Sequence, residues 1–147
     1  MAELELGRTF CDRKATNIDG RKPKHYIALA IANFDDDMVP CFVCNTEHRM
    51  ENYSLGCNQQ HERFVIPPRT FAWVTDFTSV MLNKEYWYTL EEILGPDIVL
   101  AEKANDNFLR QVKNCINKDS ISQKAYSLIC SAFDSLPTPQ TPPRNRT

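Results

Sequence analysis

Short runs of apolar residues alternate with polar segments through the first half of the chain, and this pattern predicts strands. The clearest run, residues 25–32, is apolar on both sides, as expected for a central strand. A second run covers residues 39–45 and has Pro40 near its start, which suits the beginning of a strand. Weaker candidates are residues 6–11, 63–66, 70–75 and 77–82. The first half therefore predicts about five or six short strands joined by loops.

The second half has the spacing of helices. Residues 88–94 predict a short helix with Thr89 as its N-cap and Gly95-Pro96 as its end. Residues 99–118 carry an apolar stripe at three- and four-residue spacing, which predicts a long helix. A third helix is predicted to start at Ser120, which can form a capping box with Gln123.

Strands followed by helices are typical of an α+β protein. The expected architecture is a small, strongly bent antiparallel sheet or small barrel over about residues 5–83, packed against C-terminal helices over about residues 88–134. Residues 1–134 would form one globular domain. The proline-rich residues 135–147 predict a disordered tail.

The length and net charge of the chain limit the kinds of function that it can have. A chain of 147 residues with 42% hydrophobic residues is long enough for one real core. Its net charge of −2 argues against bulk polyanion binding, so any nucleic-acid site must come from local clusters of Lys and Arg. The N-terminus has acidic residues and no apolar run, which is atypical of a signal peptide. We therefore expect a cytoplasmic protein, not bound to a membrane, whose six cysteines are reduced.

Polar residues with catalytic potential flank the two clearest strands. If these strands are antiparallel neighbours, the start of one and the end of the other lie together. The start carries Arg21, Lys24 and His25, and the end carries Thr46, Glu47, His48 and Arg49. Such a set suits a phosphodiester: cations stabilise charge on phosphoryl oxygens, a hydroxyl donates a hydrogen bond, and a histidine moves a proton. The alternative is that these residues are ordinary solvated loop ends.

A metal site is a second interpretation. The spacing Cys41-x2-Cys44-x12-Cys57-x3-His61 matches that of a structural zinc site. However, Phe42 and Val43 favour a strand, in which Cys41 and Cys44 point to opposite faces. Buried free thiols are the competing interpretation, and Cys57 with His61 or His25 as a nucleophilic pair is a further one.

Aromatic residues are dense between positions 64 and 88. On an exposed sheet they could stack unpaired bases, whereas in a folded core they would support the helices. The residues concerned are Phe64, Phe71, Trp73, Phe77, Tyr86, Trp87 and Tyr88.

Over roughly residues 5–130, the order of these features resembles the PemK/MazF-like toxin superfamily, in particular its members from phages and mobile elements. The resemblance is carried by Gly7, Arg21-Lys22-Pro23, residues 26–31, Asn45-Thr46, His61 and Trp73. It implies an SH3-like barrel with C-terminal helices. It also implies a dimeric endoribonuclease of a toxin–antitoxin system, which cuts single-stranded RNA without a metal or other cofactor and is held by an antitoxin.

The resemblance assigns roles to individual positions. Arg21 and Thr46 match the catalytic positions, and Lys24 or His25 can replace the basic group. Glu47, His48, Arg49, His61 and Arg69 are expected to bind substrate. The alternatives are an inactive barrel that binds other proteins, as an accessory or anti-defence protein of a phage or mobile element, and a zinc-stapled binding module.

Overall fold

The computed structural model describes residues 4–16, 23–31 and 38–136. In this part the chain is an α+β protein with an antiparallel sheet of eight strands and three α-helices. The strands are β1 (Arg8–Thr16), β2 (Pro23–Ala28), β3 (Met38–Thr46), β4 (Gly56–Asn58), β5 (Arg63–Ile66), β6 (Thr78–Met81), β7 (Tyr86–Thr89) and β8 (Ile98–Lys103). The helices are α1 (Leu90–Ile93), α2 (Asp106–Cys115) and α3 (Gln123–Asp134).

The sheet is organised around β3. The strand order is β4-β5-β6-β3-β2-β1-β8, and β7 also pairs with β3. Cys44 lies opposite Val80 of β6, and Cys41 lies opposite Tyr86 of β7. From Val80 to Tyr86 the chain advances six residues, whereas β3 advances only three from Cys44 to Cys41. The extra residues lie in the irregular segment 82–85 between β6 and β7.

The sheet is open rather than closed. Its end strands are β4 and β8, and neither pairs with a further strand in the described part of the chain. The expected α+β class and the antiparallel sheet are confirmed, whereas an SH3-like barrel is not. The strands also extend past residue 83: β7 spans residue 88, where the helical part was expected to begin, and β8 lies within that part.

Both faces of the sheet are buried. Residues opposite each other in a ladder share a face, so Phe10, Tyr26 and Val43 lie on one side. We call it the tyrosine face, because the rings of Phe10, Tyr26, Tyr86 and Tyr88 pack together on it. The opposite side, the helix face, carries His25, Phe42 and Phe64. Phe108 of α2 packs edge-on against Phe64 there, with ring centroids 5.4 Å apart.

The helices begin where short polar side chains cap them. Thr89 and Glu92 form a capping box at α1, which confirms that predicted helix and its cap. The third predicted helix is also present, but its N-cap is Ser122 rather than Ser120. The Ser120 hydroxyl instead donates to the Glu62 carboxylate. No helix among the described residues is long and apolar enough to cross a bilayer.

Two predicted elements are wrong. The long helix over residues 99–118 is in fact strand β8 followed by α2, whose N-cap is Asn105. The β-branched residues Ile98 and Val99 pair with β1, and this tertiary pairing outweighs the helical spacing. The strand predicted over residues 70–75 is a turn. Arg69 there has a φ of 71°, and its N–H donates to the Val74 carbonyl at 2.8 Å.

Gly7 joins three parts of the fold. Its N–H donates to the Ala28 carbonyl, and its own carbonyl accepts from the Ala104 N–H just after β8. Its φ is +86°, and a Cβ at this position would lie 2.6 Å from Cδ1 of Leu109 in α2. Only glycine fits both the backbone conformation and the close packing of this helix.

Cys57 and Cys115 form a disulfide, which contradicts the expectation of six reduced thiols. The bond ties β4 to the C-terminal end of α2. Cys57 lies opposite Phe64 in the β4–β5 ladder, so this link crosses the helix face. Cys11, Cys41, Cys44 and Cys130 are free.

Candidate functional site

The start of β2 and the end of β3 lie side by side. The two strands are antiparallel, with His25 opposite Cys44. The Lys24 ammonium donates to Oδ1 of Asn45 at 3.0 Å. Thr46, the last residue of β3, is exposed and lies opposite Thr78 of β6. The neighbouring strands expected from the sequence are therefore present, and Arg21 lies outside the described residues.

The pleat divides the expected catalytic residues between the two faces. Lys24 shares the tyrosine face with Tyr26, whereas His25 and Thr46 belong to the helix face. The structure thus brings Lys24 to Asn45 and places the Thr46 hydroxyl at the rim of the other face.

His25 is held by aromatic stacking. Its ring lies parallel to that of Trp73, with centroids 4.1 Å apart and planes 5° apart. The Trp73 Nε1–H donates to the Thr9 hydroxyl at 3.2 Å, which fixes the indole. Burial lowers the pKa of His25 from its ordinary 6.5. Its imidazole is therefore neutral near pH 7, where it can accept a proton but carries no charge to stabilise a phosphoryl oxygen.

Glu47 points inward and anchors the segment that follows β3. Its Oε2 accepts hydrogen bonds from Arg63 Nη1 at 2.6 Å and from the Ser79 hydroxyl at 2.8 Å. Burial alone would raise the pKa of Glu47. Hydrogen bonds from Ser79, Arg63 and the Arg49 backbone outweigh that effect and hold the pKa below its ordinary value. Glu47 is therefore committed to the protein rather than available to a substrate.

Sequence reasoning missed the two partners of Glu47. Arg63 and Ser79 lie 16 and 32 residues away along the chain, and no local pattern links them to it. The Arg63 guanidinium also lies over the ring of Tyr53, 4.5 Å from its centroid.

The remaining expected substrate ligands lie between strands, on loops and, for His61, at the end of a 3₁₀ helix. His48 and Arg49 lie two and three residues after the end of β3 and are exposed. His61 is exposed beside Tyr53, with ring centroids 5.2 Å apart. Arg69 is exposed in the turn between β5 and β6. Of this group, only His48 and Arg49 are close to Thr46 in the chain.

The predicted zinc ligands do not come together. Cys41 and Cys44 are buried on opposite faces of β3. Burial raises the pKa of Cys41 well above its ordinary value and that of Cys44 to about 12, so both stay protonated. Cys57 is in the disulfide, which also removes it as a nucleophile. Within the described ranges, no group of three or more His, Cys, Asp or Glu side chains is placed to hold a metal ion.

Asp12 is a polar group that sequence reasoning did not identify. It lies opposite Lys24 on the tyrosine face, and its Oδ2 accepts a hydrogen bond from the Tyr88 hydroxyl at 2.7 Å. Burial, together with hydrogen bonds to Asp12 and Tyr26, raises the pKa of Tyr88, so its hydroxyl remains a donor. Asp12 and Lys24 therefore continue the polar end of the sheet towards β8.

The aromatic residues form core rather than an exposed stacking surface. Phe64, Phe71 and Tyr88 are buried, and Trp73, Phe77, Tyr86 and Trp87 are partly buried. On the helix face, rings follow one another from His25 through Trp73, Phe71 and Phe108 to Phe64. These rings seat α2, as expected for a structural role.

No protein-family model matches the chain, and neither a curated protein nor a solved structure matches it. The chemistry of the site therefore stands on its residues alone.

Proposed function

We propose that the chain binds single-stranded RNA at the end of β3 and cleaves it without a metal ion, like the PemK/MazF-like toxins that its sequence resembles. One observation carries this proposal. The pairing of β2 with β3 places Lys24 beside Asn45 and leaves Thr46 exposed, with the exposed His48 and Arg49 two and three residues further along the chain. We call these five residues the β3 end.

The β3 end has the groups that a phosphodiester needs. The Thr46 hydroxyl can donate to a non-bridging oxygen, and the Arg49 guanidinium can neutralise the charge that grows on the phosphoryl group. Lys24, on the opposite face from Thr46, gives one hydrogen bond to Asn45 and has further N–H donors for a neighbouring phosphate of the RNA backbone. The exposed imidazole of His48 can carry a proton.

The reaction would be an internal transfer. The ribose 2′-oxygen would form a bond to phosphorus, and the bond from phosphorus to the 5′-oxygen would break. One proton leaves the 2′-hydroxyl and one reaches the 5′-oxygen, so no metal-bound water is required. A protein that cleaves RNA in this way would act in the cytoplasm. There the Cys57–Cys115 disulfide would be exposed to reduction.

The first test is the Thr46→Ala variant on a long single-stranded RNA in excess EDTA. We expect cleavage by the wild type and a rate about a hundredfold lower in the variant, because one hydrogen bond to the developing charge is lost. Thr75→Ala is the matched control, since Thr75 is an exposed threonine outside the β3 end. Equal cleavage by wild type and Thr46→Ala would remove Thr46 from the site.

The second candidate is an inactive protein-interaction module. It is favoured because polar groups near the β3 end already have partners within the protein. Glu47 accepts hydrogen bonds from Arg63 and Ser79, and His25 is stacked on Trp73. In that case a folded wild-type protein would leave RNA intact under every condition tested. Its relevant ligand would then be an antitoxin or another protein, or a second copy of the chain.

A further inference from the structure

The outer edge of β8 is apolar and exposed. Val99 and Leu100 are 52% and 47% exposed, and Leu94, just before the strand, is 45% exposed. β8 pairs with β1 on one side, and in the described part of the chain no strand pairs with its other side. Proteins usually shorten, charge or cover such edges, since an unpaired edge invites another strand.

A bulge limits the regular part of this edge. Arg8 lies opposite Lys103 and Phe10 lies opposite Leu100, so Thr9 alone faces two residues of β8. The two carbonyls in the bulge are occupied from β1: Arg8 Nη1 donates to Ala101 at 2.7 Å and the Thr9 hydroxyl to Glu102 at 2.5 Å. The stretch that keeps regular strand geometry is therefore residues 98–100.

A negatively charged cavity lies at the start of that stretch. Its volume is about 700 Å³, and it is bordered by the turn from α1 into β8. Its charged lining, as far as the described residues show, is Asp12, Glu91, Glu92 and Asp97 against a single lysine, Lys14. The Lys14 ammonium lies 3.0 Å from Asp97 and leaves an excess of carboxylates.

We propose that residues 98–100 take up an extended, basic segment of a partner protein as an added strand, with a Lys or Arg of that segment in the cavity. Backbone hydrogen bonds along the edge would provide affinity, and Val99 and Leu100 would cover the apolar side chains of the segment. Glu91, which is exposed, would select a basic side chain by charge.

A second copy of this chain fits the surface less well. Antiparallel pairing of two β8 strands would bring Lys103, the only basic residue within β8, towards the partner's cavity. That ammonium is already 3.9 Å from Asp106 and donates to the Ala104 carbonyl at 3.3 Å. Self-pairing would therefore bring no uncommitted cation from β8 to the carboxylates.

This surface shares no residue with the β3 end. Strand addition at β8 and RNA cleavage at the β3 end are therefore independent, and absence of the first would leave the second unaffected.

The test uses the full chain and three labelled peptides, with binding followed by fluorescence anisotropy. The first peptide alternates Lys or Arg with Val, the second has Glu in place of the basic residues, and the third is the basic peptide N-methylated at alternate amides. We expect the basic peptide to bind and to shift the amide NMR signals of β8. The acidic and N-methylated peptides should bind at least about tenfold more weakly, because one lacks the charge and the other the backbone donors.

Two variants test whether the basic peptide binds at the cavity beside β8. Glu91→Lys should weaken the basic peptide about tenfold, since it reverses a charge at the cavity. Glu51→Lys is the matched control on an exposed residue away from the cavity, and it should change the affinity less than about twofold. Equal affinity for all three peptides, equal effects of the two variants, or no binding by the folded wild type would overturn the proposal.

Two other results would also overturn the proposal, because they would show that something other than a partner's basic segment occupies the β8 edge or the cavity. Concentration-dependent dimers that Val99→Lys abolishes would assign the edge to a second copy. Tighter peptide binding after replacing Arg144 and Arg146 by Gln would assign the cavity to the C-terminal arginines of the chain itself.

Discussion

β4 and β8 end the same sheet, but they are protected to very different degrees. β4 has three residues and is tied to α2 by the Cys57–Cys115 disulfide. β8 has six residues, and Val99 and Leu100 on it are about half exposed. A strand that is covalently anchored offers little to an incoming chain, whereas an exposed apolar edge without such an anchor offers a template for pairing.

Local hydrogen bonds add to the protection of β4. The Asn58 side chain accepts from the Ser54 N–H at 3.0 Å and donates to the Ser54 carbonyl at 2.8 Å. It also donates to the Gly56 carbonyl at 3.0 Å. Asn58 therefore binds backbone groups just before β4 and at its first residue, and this difference between the edges is why the proposed added strand is assigned to β8.

The largest expected effect is on the protected edge. Cys57→Ser should lower the free energy of unfolding by about 4 kcal/mol, because the disulfide closes a long loop in the unfolded chain. Urea denaturation measures this loss, and a reducing agent should bring the wild type to the same stability as the variant. Cys11→Ser, at a free cysteine, is the control. Unchanged stability of Cys57→Ser would mean that the disulfide does not hold β4.

A smaller effect is expected at Glu47, which ties the loop after β3 to β5 and β6. Glu47→Gln should cost about 2 kcal/mol at pH 7, because charge-assisted hydrogen bonds to Arg63 and Ser79 are weakened. The pKa of Glu47 is lowered from 4.5 in the folded protein. The stability that the Glu47 carboxylate adds is therefore fully present above about pH 4.5. It is lost as the pH falls through the pKa of Glu47 in the folded protein.

Urea denaturation from pH 7 down to pH 3 tests this. The free energies of unfolding of the wild type and of Glu47→Gln should become equal as the pH falls. Glu51→Gln, on an exposed residue of the same loop, is the control. A gap between wild type and Glu47→Gln that stays constant to pH 3 would contradict the charged state proposed for Glu47.

The smallest effect is expected on the open edge. Val99→Lys should change the free energy of unfolding by no more than about 0.5 kcal/mol, since the side chain is largely in water and the strand remains paired with β1. Thermal and urea denaturation would measure it. A loss of about 2 kcal/mol would show instead that the edge is covered in the folded protein.

Elements whose own residues carry a clear hydrophobic or capping pattern could be predicted from the sequence. The apolar runs gave β2, β3, β5 and β6, and Thr89 with Gly95 gave α1 and its boundaries. β8 could not be predicted, because Ala101, Ala104 and Phe108 continue the helical spacing of α2. Pairing with β1, which is distant in sequence, decides its conformation.

The site was predictable only as far as strand pairing determines it. The proximity of Lys24 to the end of β3 follows from two antiparallel neighbours. The inward turn of Glu47, the stacking of His25 on Trp73 and the Cys57–Cys115 bond depend on contacts between distant segments. No spacing in a single sequence specifies such contacts.

The position of β3 also affects how the molecule opens. Its ladders to β2, β6 and β7 make it the only strand of the described sheet with three partners. Its amides should therefore exchange with solvent deuterium mainly through global unfolding, whereas those of β8, which pairs on one side only in the described sheet, exchange through local fraying. The β3 end is thus held by the most persistent part of the molecule, and the residues that would contact RNA stay in place while the margins of the sheet fluctuate.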